Sequence, residues 1–448
     1  MKSKLRSYLA LSAAMLFTIV TLAGCGGEKN GSTGNTGNSE GTGAQTATST
    51  PAAEKVELKF LHYQVEAVDA LQKVIDEFTE QNPNITVSMD AIPTKDWSTV
   101  LSMRIASDDT MDVLGVHPVP DIKKNNPAVI DNNILMDLTD QPVLKNYGDV
   151  FSNDVKIDGK VSMIPLSVNP YGIFYNKDLF EQLNLSVPKT WEEFMSVCEK
   201  IKEAGITPMA LGAKDGWPVE MFEIGLSPTI LGAKYPNGDF YQKALNGETS
   251  YDDPAYLEIF TKFKEMSKYF NDNPLGVGYN EAPALFVSGK VAMLPDLASS
   301  APMISDAQPD FEVGIFAMPG SDTTAPSEIP VKMGLCLAVA NKSEHKEESI
   351  KFIEFLSQSD VYSEFVKTMK YLPTQTGITS DDKLVNEISQ YISSGKNVPF
   401  STNTRPVELK MANRLTAWQK LLTGEFTPED AVDFYVKNLE EDREAAGK

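Results

Sequence analysis

Between Val56 and Val116 the hydrophobic pattern changes period four times, and this alternation restricts the fold more than any other feature of the chain. Val56, Leu58 and Phe60 alternate with Glu57 and Lys59, the period of two expected of a strand with one buried face. Leu71, Val74, Ile75 and Phe78 then recur at helical spacing, and Ile85, Val87 and Met89 return to a period of two. A second helical stretch runs from Asp96 through Ile105, followed by a short apolar strand at Val113 to Val116. Strand, helix and strand in this order make a crossover unit whose strands lie parallel. Its repetition predicts a doubly wound α/β lobe that binds ligands beyond the carboxyl ends of its strands. Leu61 to Gln64 and Val116 to Val119 fall at those ends, and each segment carries a histidine, His62 and His117.

The chain before Val56 reads differently. Lys2, Lys4 and Arg6 precede an apolar run from Tyr8 to Leu22 and then Leu22-Ala23-Gly24-Cys25. This resembles a bacterial lipobox, in which a signal segment (residues 1–24) is removed and lipid is attached to Cys25. The apolar run is shorter than the roughly 18 to 20 residues a membrane span requires, and polar chain follows at once. Residues 25–54, rich in Gly, Ser, Thr, Asn and Ala, cannot bury enough surface to fold and are expected to form a tether. The remainder, about 395 residues, is enough for two or three lobes at roughly 100 to 200 residues each.

The formal net charge is −22, and it becomes three units more negative once the leader's cations are gone. Such acidity excludes a nucleic-acid surface, which needs basic patches. The chain has no G-x-S-x-G, H-E-x-x-H, Walker A or G-x-G-x-x-G motif. With only His62, His117 and His345, and no cysteine cluster, neither a metal site nor a cofactor is expected. Cys198 and Cys336 read as buried free thiols. A glycosidase needs only two suitably spaced carboxylates, so the missing motifs leave that class open.

Further on, Asp158-Gly159, flanked by Val155, Ile157 and Val161, reads as a hairpin turn, and Ile164 to Tyr175 as an extended apolar crossover. Thr190-Trp191-Glu192-Glu193 is a capping box with Phe194, Val197, Cys198 and Ile201 as the buried stripe behind it. A second α/β lobe therefore begins near Leu166. Phe311 to Pro319 and Met333 to Ala340 read as buried strands, Ser349 to Leu356 as a helix, and Thr427-Pro428-Glu429-Asp430 as the start of a final helix.

Aromatic residues near turns and strand ends suit stacking on the C–H face of a sugar: Tyr63, Trp97, Tyr171, Trp217, Tyr235 and Tyr371. Of these, Trp97 reads as packing. Gln64, Asn169, Asp215 and Asp296 supply hydrogen-bonding groups nearby, although Asn169 and Asp215 also suit turns. Asp112, just before an apolar strand, reads as a partner of loop amides.

Three segments together resemble the family 1 extracellular solute-binding proteins of ABC importers. They are Leu71-Gln72-Lys73-Val74-Ile75-Asp76-Glu77-Phe78 with Asn82-Pro83-Asn84-Ile85-Thr86-Val87; Gly172 to Phe180 with Pro188-Lys189-Thr190-Trp191-Glu192-Glu193-Phe194 and Ala204-Gly205-Ile206-Thr207-Pro208; and Phe286-Val287-Ser288-Gly289-Lys290-Val291-Ala292-Met293. The chain departs from that family's pattern at Leu297-Ala298-Ser299, where a Gly and then a Trp are common, and at Met111-Asp112-Val113. The resemblance implies a class II periplasmic-binding-protein-like α/β fold with two lobes, residues 55–165 plus 318–358 and residues 166–317 plus 359–448. The cleft between them would be lined by His62, Tyr63, Gln64, His117, Asn169, Tyr171, Trp217, Asp296, Gly334 and Tyr371. The implied function is non-enzymatic: a monomer, lipid-anchored on the extracytoplasmic face of the cell membrane, captures a sugar or oligosaccharide and delivers it to the permease subunits of an ABC importer. A ligand-presenting sensor for a membrane kinase and a surface glycoside hydrolase are the alternatives. Tyr171→Ala or Trp217→Ala is expected to weaken binding at little cost in stability.

Overall fold

The computed structural model describes residues 55–147, 153–322, 328–394, 397–406 and 408–448. The signal segment, the lipidation site Cys25 and the tether lie outside the described residues.

The strand–helix alternation folds as β1 (Val56–His62), α1 (Val68–Gln81), β2 (Ile85–Ala91), α2 (Thr94–Ala106) and β3 (Val113–Val116), followed by α3 (Val119–Asn125). β1 pairs in parallel with both β2 and β3. Leu71, Val74, Ile75 and Phe78 turn one face of α1 into the core. Phe78 meets Phe352 and Phe355 at ring-centroid distances of 5.2 and 5.5 Å, so the helix Lys346–Leu356 closes the first lobe. Burying a side chain of that size contributes about 1.5 to 3 kcal/mol. The Asp158-Gly159 hairpin joins β4 (Lys156–Ile157) to β5 (Lys160–Val161), with φ of 50° and 79° at its two central residues. β6 (Ile164–Pro165) and the strand Cys336–Val339 complete a five-stranded sheet, ordered β2, β1, β3, Cys336–Val339, β6.

The second lobe is organised on β7 (Val168–Asn176). Beside it lie β8 (Thr207–Met209), β9 (Val291–Leu297), β10 (Val313–Phe316), β11 (Ile329–Met333), which precedes β12 (Cys336–Val339), and β13 (Asn397–Pro399). β9 pairs antiparallel with β7 and parallel with β8. Thr190 caps the helix Trp191–Glu203 by accepting from the Glu193 amide, and Thr427 and Asp430 cap the helix Pro428–Ala445 reciprocally. Cys198 and Cys336 are free and buried. Among the described residues no helix is long and apolar enough to cross a membrane.

The hydrophobic cores divide the chain at other points than 318 and 359. Met318 packs in the second core and β11 joins the second sheet, so the chain returns to the first lobe only at Met333. Val361, Tyr362, Phe365 and Val366 pack in the first core, and the Tyr362 hydroxyl donates to the Leu166 carbonyl at 2.9 Å. The helix Ser359–Met369 therefore packs with the first lobe, because its apolar stripe and buried hydroxyl both find their partners there.

Candidate functional site

β7 and β9 run side by side, pairing Tyr171 with Leu297 and Gly172 with Asp296. The Tyr171 ring is 2% exposed. It fits because Gly225, in the helix Met221–Lys234, has no side chain: a Cβ there would stand 2.8 Å from Tyr171 Cε1. The loop after β8 comes so close to the Gly278 carbonyl at Gly212 that no Cβ fits between them. Asp215 Oδ2 accepts from the Tyr279 amide at 2.8 Å, and Tyr279 is thereby laid against Trp217, ring centroids 4.5 Å apart and planes at 55°. These elements form a pocket, open on one side, whose walls include Tyr171, Trp217, Met221, Tyr279 and Asp296.

Asp296 is the charged group of this pocket. It is 4% exposed, and its carboxylate accepts from the Leu297 amide at 2.7 Å and the Ser300 hydroxyl at 2.6 Å, with the Tyr279 hydroxyl within reach. Burial pushes its pKa up to about 6, overriding the opposite pull of those hydrogen bonds. The Tyr171 hydroxyl is buried and has no hydrogen-bond partner among the described residues. Burial, and then the Asp296 charge, raise its pKa well above the ordinary phenol value.

The first-lobe candidates gather into a different kind of surface. Tyr63 is buried and stacks on His117 at 3.7 Å, while Trp97 packs behind it at 5.7 Å. The Tyr371 hydroxyl donates to Gln64 Oε1 at 2.6 Å, and both residues are half-buried. Tyr371 precedes Leu372, whose carbonyl accepts from the Val168 amide, so this face adjoins the start of β7. Burial holds the half-exposed His117 at a pKa of about 4, with Asp121 pulling weakly upward. His62 does not join this surface. It follows Phe60 at a spacing of two, stacks on that ring inside the core at 5.1 Å, and is fully buried. Neither of its ring nitrogens has a partner among the described residues, and burial lowers its pKa to about 4.

Asn169 accepts from the Ser299 amide at 2.9 Å, bracing the turn that carries Ser300 to Asp296. Gly334 donates its amide to the Ser167 carbonyl and packs against Ser167 so closely that a Cβ would collide. Tyr235 is a core residue whose hydroxyl donates to Asp253 at 2.6 Å. Asp112 binds the Lys59 amide and the Ser343 hydroxyl, as expected of a structural partner. Tyr279 was not among the sequence candidates. Its neighbourhood in space is set by the Gly212–Gly278 approach, which leaves no local pattern in the sequence.

The lobes also meet through charged groups. Asp121 on α3 pairs with Lys332 on β11 at 3.2 Å, and Asp154 joins the Met333 amide to the Asn403 side chain. Burial raises the pKa of Asp121, but Lys332 and then His117 outweigh it and hold the carboxyl below its ordinary value.

Residues 64–362 match the family model described as bacterial extracellular solute-binding protein. The multiple sugar-binding protein of Streptococcus mutans is 30% identical over 308 residues, covering 68% of this chain and 71% of its own. A melibiose/raffinose/stachyose-binding protein of Bacillus subtilis, MelE, is 20% identical over 333 residues, 72% of this chain and 75% of its own. Among solved structures, the solute-binding protein RafE in complex with raffinose superposes with a TM-score of 0.73 at 21% identity, covering 87% of this chain and 100% of RafE. A Bacillus licheniformis sugar transporter in complex with stachyose gives 0.66 at 21% identity, covering 87% of this chain and 99% of that one. These likenesses show the two-lobed class II fold. With a family model spanning well over half its length, the chain belongs to the bacterial extracellular solute-binding proteins.

Proposed function

We propose that this protein is a receptor, anchored through lipid on Cys25 to the extracytoplasmic face of the membrane, that captures a sugar or oligosaccharide between its lobes. It passes the ligand to the permease subunits of an ABC importer and works as a monomer without catalysis. The observation that carries this reading is the second-lobe pocket, where Tyr171, Trp217 and Tyr279 surround the buried Asp296. Flat rings stack on the apolar faces of a pyranose, and a few convergent polar groups fix its hydroxyls. The Gln64–Tyr371 and His117 surface supplies the opposing face, which closes over the ligand by hinge motion. Relatives named for sugars, MelE and the Streptococcus mutans protein among them, support the ligand class.

The test is a thermal melting shift of the full chain in detergent across mono- and oligosaccharides, with amino acids and peptides as controls. A ligand that binds only the native state at about 100 times its Kd adds about 2.7 kcal/mol. Shifts confined to saccharides are expected. A shift with peptides alone, or with no compound, would remove the sugar assignment, and sustained release of reducing sugar would move the protein to the glycosidases. Loss of membrane attachment in Cys25→Ser is the expected sign of the anchor.

A further inference from the structure

Buried acids elsewhere in the second lobe have a cation. Glu220 and Glu223 bond Arg405 at 2.7 and 2.8 Å, Asp442 bonds Arg414 at 3.1 Å, and Asp253 bonds Lys234 at 2.5 Å. Asp296 is as deeply buried and has no ion-pair partner among the described residues. A lone charge in such a place is costly unless something compensates it.

We infer that the pocket prefers a sugar carrying a protonated amine, with the ammonium group set against Asp296 and enclosed by Tyr171, Trp217 and Tyr279. This inference rests on the reading of the cleft as a saccharide site and narrows its substrate class. The walls favour a cation independently of the carboxylate, since aromatic faces attract ammonium groups. Three hydrogen-bond donors leave one of the roughly four lone-pair sites of the carboxylate for an N–H donor. The Tyr171 hydroxyl, without a partner among the described residues, offers a second acceptor from β7. Charged groups on the neighbouring segments reinforce the sign. Asp215 and Glu281 bond the Tyr279 and Gly278 amides, while Lys214, on the same loop as Asp215, is exposed to solvent. Burial raises the Asp296 carboxyl to about 6, so it is largely ionised at about pH 7, where an ammonium group beside it would be favoured.

Titration calorimetry on the full chain decides the matter. Glucosamine, galactosamine and mannosamine are each compared with the parent hexose and the N-acetyl derivative, and glucosamine oligomers with cello-oligosaccharides. At about pH 7 the amine of at least one set should bind about tenfold more tightly than its parent, the gap between a charged and a neutral hydrogen bond. Its N-acetyl derivative should lack the advantage, and the amine-to-parent ratio should fall to about one in Asp296→Asn. The same loss is expected at about pH 5, where Asp296 is protonated. If parent or N-acetyl forms bind as tightly as the amine wherever binding occurs, the charge preference is wrong and the receptor reading stands. If no compound in these sets binds, the inference falls, and the wider saccharide panel decides whether the receptor reading falls with it.

Discussion

Two buried carboxylate clusters in the second lobe use the same residue types and differ in one component. In the first, Tyr241 and Tyr256 both donate to Glu223, and Arg405 closes the cluster by bonding Glu220 and Glu223. In the second, Tyr171 and Tyr279 surround Asp296 and no arginine or lysine closes it among the described residues. A carboxylate compensated from within the chain holds segments together, here residue 405 to the helix Met221–Lys234 and its N-cap Glu220. A carboxylate left with hydroxyls and aromatic walls is held by neutral donors alone, and its unused capacity is available to a ligand. The first cluster should therefore govern stability and the second binding.

The largest effect should come from breaking the closed cluster. Arg405→Met removes the guanidinium that bonds two buried carboxylates and is expected to cost about 3 to 5 kcal/mol. Denaturant melts would measure it, and a variant as stable as the parent would erase the distinction between the clusters. The open cluster should show itself in the pH dependence of stability. A carboxyl raised to about 6 in the folded state and near 4 when unfolded contributes stability that is complete below pH 4 and lost as pH rises through 6. The loss is about 3 kcal/mol. Stability of Asp296→Asn relative to the parent should grow by that amount between about pH 4 and pH 7. Parallel curves would mean that Asp296 stays ionised and solvated.

Trp217→Ala should weaken saccharide binding by about 10- to 100-fold, the cost of removing an aromatic anchor. Trp217 is half-exposed, so its melting temperature should change little. The same was expected of Tyr171→Ala, but that ring lies wholly inside the second core. Truncating it would open a cavity at a cost of about 3 to 5 kcal/mol. Tyr171 lines the pocket, but its burial makes truncation a test of packing as much as of binding.

The contrast between Tyr171 and Trp217 illustrates what the sequence can carry. Strand and helix periods located β1 to β3 and the helices between them, since each period reports one buried face. The same periodicity could have placed His62, which continues the inward series Val56, Leu58, Phe60 and so points into the core. Residue types also nominated Tyr171, Trp217 and Asp296, which the fold brings together from β7, the loop after β8, and β9. Tyr279 stayed hidden because its position depends on two glycine backbones meeting 66 residues apart in sequence, Gly212 and Gly278. Lobe membership of the helix Ser359–Met369 was equally unreadable, because an amphipathic stripe states that a face is buried and not against which partner.

The smallest change is the most discriminating. Tyr171→Phe keeps the ring that fills the space beside Gly225 and removes only a hydroxyl without a partner among the described residues. Deleting a satisfied buried hydroxyl costs about 1 kcal/mol, whereas deleting an unsatisfied one removes a desolvation penalty. The variant should therefore melt at the parent temperature or above it. If the hydroxyl is reserved for the ligand, the same substitution should weaken saccharide binding by about tenfold, the net worth of one hydrogen bond to a polar group. Stability unchanged or raised, with affinity lowered, is a combination that no packing role produces. Unchanged affinity would show that the hydroxyl faces away from the ligand and leave Asp296 as the pocket's polar anchor on that wall.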